Sequence, residues 1–400
     1  MPSRDGLTAR LTAIDALRGA VMVIMALDHT RDFFHAGAMT FSPEDLARTT
    51  PILFFTRWIT HVCAPVFLFT AGIGAFLRLQ RPGATKGQLS RFLWTRGLWL
   101  IVVELTVMRL AMNFTLETRF PVLLLVLWAL GVSMIALAAL IHLPHRVLAV
   151  ASLAVIALHN GLDGVQASQF GALAGLWNVL HQPGVFLLGG VPIVAGYPVL
   201  PWIAVMAAGF TAGPIFLREP QARQRTLVRW GVSLVAAFVV LRGVNLYGDP
   251  VPWSSQSSPM MTAISFLRAT KYPPSLDFLL MTLGPALLVL AYLEHRGPRT
   301  SHPLVIVGRV PFFFYVAHFW LLHVVASLFA WLRYGSGSLA FLFSPLPSMG
   351  GSRPPFPEDF GYPLWVTYAV WVSVVALLYP LCKWFAGLRA RRRDWWLSYL

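Results

Sequence analysis

The chain has 400 residues, 57% of them hydrophobic and only 12% charged, with a mean hydropathy of +0.66. A soluble domain carries about 25% charged residues, so this composition excludes an ordinary globular protein and describes a polytopic membrane protein. The net charge of +15 gathers in short basic segments between apolar runs, a pattern of membrane orientation rather than of nucleic-acid binding.

Apolar runs of about 20 residues mark spans. They fall near 11–34, 52–78, 92–112, 121–142, 146–159, 197–217, 227–246, 275–293, 304–332 and 363–386, that at 146–159 being short. Segments 78–91, 142–146, 218–225, 295–302 and 389–396 are basic, and the positive-inside rule assigns them to the cytoplasm. Both termini then face inward, which requires an even number of spans, and ten fits. The expectation is an all-α polytopic membrane protein of about ten transmembrane helices, N and C termini cytoplasmic, in one integral domain over 1–400. The first run is too long and too polar for a cleaved signal peptide. The other loops, 35–51, 160–196, 247–274 and 334–362, are longer and carry Gly, Pro, Trp and Ser. Short apolar stretches in 160–196 predict re-entrant or interfacial elements. No internal repeat is visible, which argues against a transporter of two related halves. Cys63 and Cys382 fall on opposite sides and are not expected to pair.

The first span, LTAIDALRGAVMVIMALDHTRDFF, holds Asp15, Arg18, Asp28 and His29 where hydrocarbon disfavours them. A charge at that depth costs ~3 kcal/mol or more without a partner or a task. At about 100° per residue, Arg18 and His29 project within about 20° of each other and Asp15 within about 60° of Arg18. They form one polar stripe, with Asp32 a turn beyond His29. An imidazole beside a carboxylate is suited to general-base work near neutral pH. The same pair also reads as an interfacial histidine held by Asp32. His35, beyond the span, and His61, opening the second, are placed to face the same outer cavity.

The third run, SRFLWTRGLWLIVVELTVMR, begins with Arg91 and Arg96 and buries Glu104. Arg96 is deep enough to bind a phosphate, and Arg91 also serves as an inner anchor. Glu104 needs a partner, with Arg18 and Arg109 in reach, and an ion pair between helices explains it equally well. Lys271 and Tyr272 stand at the outer start of the eighth span, with Asp277 just inside, and His318 lies mid-depth in the ninth. No HExxH, GxSxG, Walker or GxGxxG motif is present.

RLTAIDALRGAVMVIMALDH resembles the first helix of the membrane acyltransferase-3 family, in which a basic residue and a histidine are separated by ten residues, here Arg18 and His29. GRVPFFFYVAHFW resembles the late aromatic helix of that family, ending at His318. IDALRG, the FFH after the first span, PVFLFTAGI and KYPPSL resemble the heparan-alpha-glucosaminide N-acetyltransferase catalytic domain and its bacterial relatives. The resemblance implies transfer of an acyl group, acetyl above all, from cytoplasmic acyl-CoA (acetyl-CoA) to an extracytoplasmic carbohydrate, amino sugar or other small-molecule acceptor. His29 would be the base and Asp28 or Asp32 its orienting carboxylate; Arg18, Arg91 and Arg96 would hold the donor. Asp15, His61, Glu104, Lys271, Tyr272 and His318 would support the site or contact substrate. The first family nominates His29. The heparan enzyme places asparagine there and has its histidine in the next loop, nearest His35. The donor arginines of the first family are three apart, whereas Arg91 and Arg96 are five apart. No metal and no nucleic acid are expected, membrane lipids are the surroundings, a homodimer is allowed, and the bacterial inner membrane is the implied location. The rival reading is a proton-coupled transporter or flippase using the Asp15/Arg18/His29 stripe. Neither the acceptor nor the choice between direct transfer and an acyl-histidine intermediate is legible.

Overall fold

The computed structural model of the protein describes residues 4–114, 116–117, 120–342, 357–392 and 394–399. Its helices are α1 (Arg4–Phe34), α2 (Pro51–Trp58), α3 (Cys63–Leu79), α4 (Lys86–Val103), α5 (Arg109–Asn113), α6 (Val126–Leu140), α7 (His145–Leu158) and α8 (Ala174–Leu180). They continue with α9 (Val199–Ala212), α10 (Pro220–Val244), α11 (Pro259–Leu267), α12 (Leu276–Arg296), α13 (Pro303–Arg309), α14 (Pro311–Tyr334), α15 (Leu339–Leu342) and α16 (Leu364–Arg391). Strands β1 (Val122–Leu124), β2 (Gly184–Leu188) and β3 (Val191–Ala195) make one small sheet in the order β1-β3-β2.

Among the described residues, seven helical segments are long and apolar enough to cross a bilayer, and the chain is an all-α polytopic integral membrane protein. The other three expected runs are helical as well, as α1, α4–α5 and α6. The first two carry the ionisable residues that lower their hydropathy, and α6 has only 15 residues. Two expected spans are interrupted. The run at 52–78 passes from α2 to α3 through a 3-10 turn, Ile59–Val62. The run at 304–332 breaks between α13 and α14 at Val310-Pro311, where proline lacks the N–H that a continuous helix needs.

Segment 160–196, expected to hold re-entrant or interfacial elements, folds as 3-10 turns, α8 and the β2–β3 hairpin. Gly189 and Gly190, at φ 57° and 83°, make its two-residue turn, a left-handed geometry that glycine adopts without strain. β1 joins in parallel, Val122 opposite Ile193.

Helix α1 is the hub of the fold and packs on α3, α12, α13, α14 and α16. Its approach to α13 depends on two glycines. A methyl group at Gly308 would overlap the backbone carbonyl of Asp15, and one at Gly19 would overlap that of Leu304. Small residues of this kind let helix backbones touch within a membrane protein. Gly308→Ala is therefore expected to lower stability by about 3 kcal/mol or more, because backbone cannot yield as a flexible side chain does. Gly87→Ala, in open space on α4, should be neutral or stabilising. Thermal unfolding of the two variants in detergent checks both, and equal melting points would refute the account.

Candidate functional site

The residues of α1 after Ala13 divide their polar groups between two cavities. Arg18 sits in the first, of about 300 Å³. Its guanidinium donates from Nε to Thr70 Oγ1 at 3.3 Å and from Nη2 to the Thr70 carbonyl at 3.2 Å, and Asp15 lies 3.6 Å away. Arg309 reaches the other Asp15 oxygen at 3.8 Å. Most of the remaining wall is apolar, with Met22, Leu100, Leu130 and Met134, and Arg96 at the same opening as Phe92 and Phe312. Arg96 lies 5.7 Å over the Phe312 ring. This cavity adjoins the ends of α4 and α14 that follow the basic segments.

The second cavity, of about 200 Å³, is lined by more ionisable residues than the first. It is walled by Asp28, His29, Arg31 and Asp32 from α1, Arg57 from α2, and Lys271 and Tyr272 from the loop before α12. An ion network runs along one side. Asp32 pairs with Arg31 at 2.5 Å, Arg31 reaches Asp28 at 3.3 Å, and Asp28 also pairs with Arg57. Arg57 Nε is 3.5 Å from Glu44, which bonds His61 Nε2 at 2.8 Å. Burial raises the Glu44 carboxyl, but the His61 hydrogen bond and the charges of His61, Arg57 and Lys271 outweigh it and hold the group down at about 2. In the Lys271–Tyr272 loop, the Lys271 and Arg57 charges lower the Tyr272 phenol against the effect of burial. Tyr272 donates to the Tyr197 hydroxyl at 3.3 Å.

His29 joins these groups to α14. Its Nδ1 is 3.5 Å from Asp32 Oδ2, too long for a good hydrogen bond, and it has no other partner among the described residues. The imidazole packs on Phe319 at 4.2 Å and on His318 at 5.4 Å between ring centres. His318 is fully buried and donates from Nδ1 to the Phe314 carbonyl at 3.0 Å, while its Nε2 has no partner. It supports His29 and does not line either cavity. Met25, Phe67, Val126 and Tyr315 belong to the walls of both cavities. Arg18 and His29, three turns apart on one helix, thus stand in two adjoining cavities whose shared wall is these four side chains.

Other expected site residues lie elsewhere. His35 accepts the Gly37 N–H at 3.1 Å and caps the 3-10 turn Ala36–Met39, away from both cavities. Its pKa is lowered by burial and by Arg31. His61 lies behind the outer cavity, bound to Glu44, rather than facing into it. Arg91 is exposed and lines neither cavity. Glu104 pairs with neither Arg18 nor Arg109. Its Oε2 accepts the N–H groups of Leu127 at 2.7 Å and Trp128 at 3.1 Å, so it caps the start of α6. Arg109 instead donates to the carbonyls of Glu117 and Phe120. The two cysteines are free and buried, and Cys63 lines the outer cavity.

The sequence reading missed Arg57, Glu44, Tyr197 and Tyr315. It also missed a buried staple behind Lys271. Arg242 lies 3.8 Å from Asp249 and 3.7 Å from Asp277. It also donates to the carbonyls of Val251, Ser265, Phe266 and Arg268. Asp249 in turn accepts from the Thr270 N–H and from the Ser275 hydroxyl. The loop that presents Lys271 and Tyr272 is thereby fixed from both ends.

No curated protein matches the chain. Residues 10–246 match the catalytic domain of heparan-alpha-glucosaminide N-acetyltransferase. The match covers α1 with Arg18 and His29, both arginines of α4 and the ion network around Arg57, and it ends before Lys271, Tyr272 and His318. Spanning more than half of the sequence and residues of both cavities, it makes the chain a member of the heparan-alpha-glucosaminide N-acetyltransferase catalytic family, a family of membrane acetyltransferases.

Proposed function

We propose that the protein moves an acyl group, acetyl above all, from cytoplasmic acyl-CoA to an amine or hydroxyl of a carbohydrate or small-molecule acceptor on the other side of the membrane. The observation that carries this reading is the placement of Arg18 and His29 in two cavities that share one wall. The apolar cavity suits the extended arm of acyl-CoA. Arg18 and Arg96 stand where a thioester dipole and the phosphates of the donor need cations. The second cavity, with more ionisable residues, suits a hydrated acceptor.

In this mechanism the acceptor enters beside His29, whose ring is held by packing on Phe319, with the Asp32 carboxylate 3.5 Å away on the Nδ1 side to close on it as the imidazole takes up charge. Nε2 takes the proton from the acceptor nitrogen or oxygen as that atom attacks the thioester carbonyl. The carbon–sulfur bond breaks, and the CoA thiolate leaves towards Arg18 and the inner cavity. Among the described residues His35 has no access to either cavity, which favours His29 as the base. A solute carrier would place one binding pocket at the midplane. Two cavities, one lined by many ionisable residues and one by few, fit a reaction with two substrates better.

The test is thiol release from acetyl-CoA by the purified protein with a panel of amino sugars, polyols and small amines. Acceptor-dependent release, with mass-spectrometric detection of the acetylated acceptor, is expected. Uptake of a solute driven by a pH gradient in proteoliposomes, with no thiol released for any acceptor, would replace this reading with transport.

A further inference from the structure

At the outer end of α7, away from the two cavities, His159, Asp163 and His181 each offer a ligand atom within 4.8 Å of the others. The two histidines are 3% and 2% exposed. No ring nitrogen of His159 makes a hydrogen bond of good geometry among the described residues, the Pro274 carbonyl being its nearest acceptor, and Nδ1 of His181 has no partner among them. Buried imidazole nitrogens left with at best a weak contact are costly, since they have given up water for little in return.

The carboxylate is already aimed. Asn160 donates to Asp163 Oδ2 at 2.8 Å, and its own side-chain oxygen accepts the Leu276 N–H of α12 at 2.9 Å. The other oxygen, Oδ1, is 3.7 Å from His181 Nε2, which lies 2.8 Å from the His159 carbonyl. Outer groups that orient ligands in this way accompany metal sites.

We propose that His159, Asp163 and His181 bind a divalent first-row transition cation of the zinc class. Two imidazoles and one carboxylate match the donor preference of such ions, and a fourth position remains for water. Calcium and magnesium, which take oxygen ligands, are excluded by the two nitrogens. Metal–ligand bonds of about 2.0–2.2 Å require the three side chains to draw together. The single bond given up is that of His181 to the His159 carbonyl, or the ring turns to present Nδ1. The cation would tie the 3-10 turn after α7 to the end of α8, and through Asn160 to the start of α12 beside the Lys271 loop.

The experiment uses the full-length protein, purified in detergent with a tag that contains no histidine. Elemental analysis should find about one zinc per chain, and His159→Ala and His181→Ala protein of unchanged elution volume should hold less than about a tenth of that. Stripped wild-type protein titrated with Co²⁺ should develop a saturable visible absorption that Zn²⁺ abolishes. Stripped Asp163→Asn should need about 10–100-fold more Co²⁺ for the same signal. The proposal is overturned if folded His159→Ala retains the wild-type zinc content. It is also overturned if stripped wild-type protein gives no Co²⁺ absorption.

Discussion

His29→Ala should reduce acetyl transfer by about 10²–10⁴-fold, the usual contribution of a general base, while the protein elutes and melts as wild type does. The stability expectation follows from the surroundings of the ring. Its side chain is partly exposed to the outer cavity, and Asp32 retains Arg31 when the imidazole is gone. No buried charge is orphaned. His35→Ala is the informative companion, because one family resemblance nominates that residue. It caps a 3-10 turn with a single bond to the Gly37 N–H, and removing such a cap costs about 0.5–2 kcal/mol without reaching the reacting atoms. Thiol-release rates of the two purified variants decide between them. A wild-type rate in His29→Ala, or a rate at background only in His35→Ala, would sink the assignment.

Arg57→Ala should cost about 3–5 kcal/mol, the range for removing one partner of a buried ion pair. Arg57 pairs with Asp28, which is 6% exposed, and approaches Glu44. Its loss leaves Asp28 to share Arg31 with Asp32. Methionine at 57 with asparagine at 28 should recover part of the loss, because both charges then leave together. Urea or thermal unfolding of the single and double variants measures the coupling, and simple additivity would contradict it. The network also responds to acid. Glu44 is held at about 2, below its ordinary 4.5, so its contribution to stability is fully present above 4.5 and fades as pH falls from there towards 2. Glu44→Gln should flatten that part of the stability profile.

The features legible in the sequence are those that local periodicity determines. Arg18 and His29 share a face because a helix repeats every 3.6 residues, and the structure places both on cavity walls as that repeat requires. The ten apolar runs carry helices for the same reason, although that at 121–142 opens with strand β1. Partner choice is a different matter. Asp28 meets Arg57 across 29 positions and His29 meets His318 across the whole fold, and no spacing rule reaches so far. Glu104 shows a more instructive error. A buried carboxylate suggests a cation, yet the free N–H groups at the start of α6 serve as well. The hairpin had a readable sign in Gly189-Gly190 between two apolar stretches.

The shared wall of Met25, Phe67, Val126 and Tyr315 has an electrical meaning. A water-filled passage from one face to the other would conduct protons and short-circuit the membrane, whose potential is worth about 2.3 kcal/mol per charge per 100 mV. Three apolar side chains and one phenol line both cavities where they adjoin, and make that stretch of the path one of low dielectric. In the proposed transfer the acetyl group that passes this wall is neutral and does no work against the field, whereas an ion would have to shed its water there.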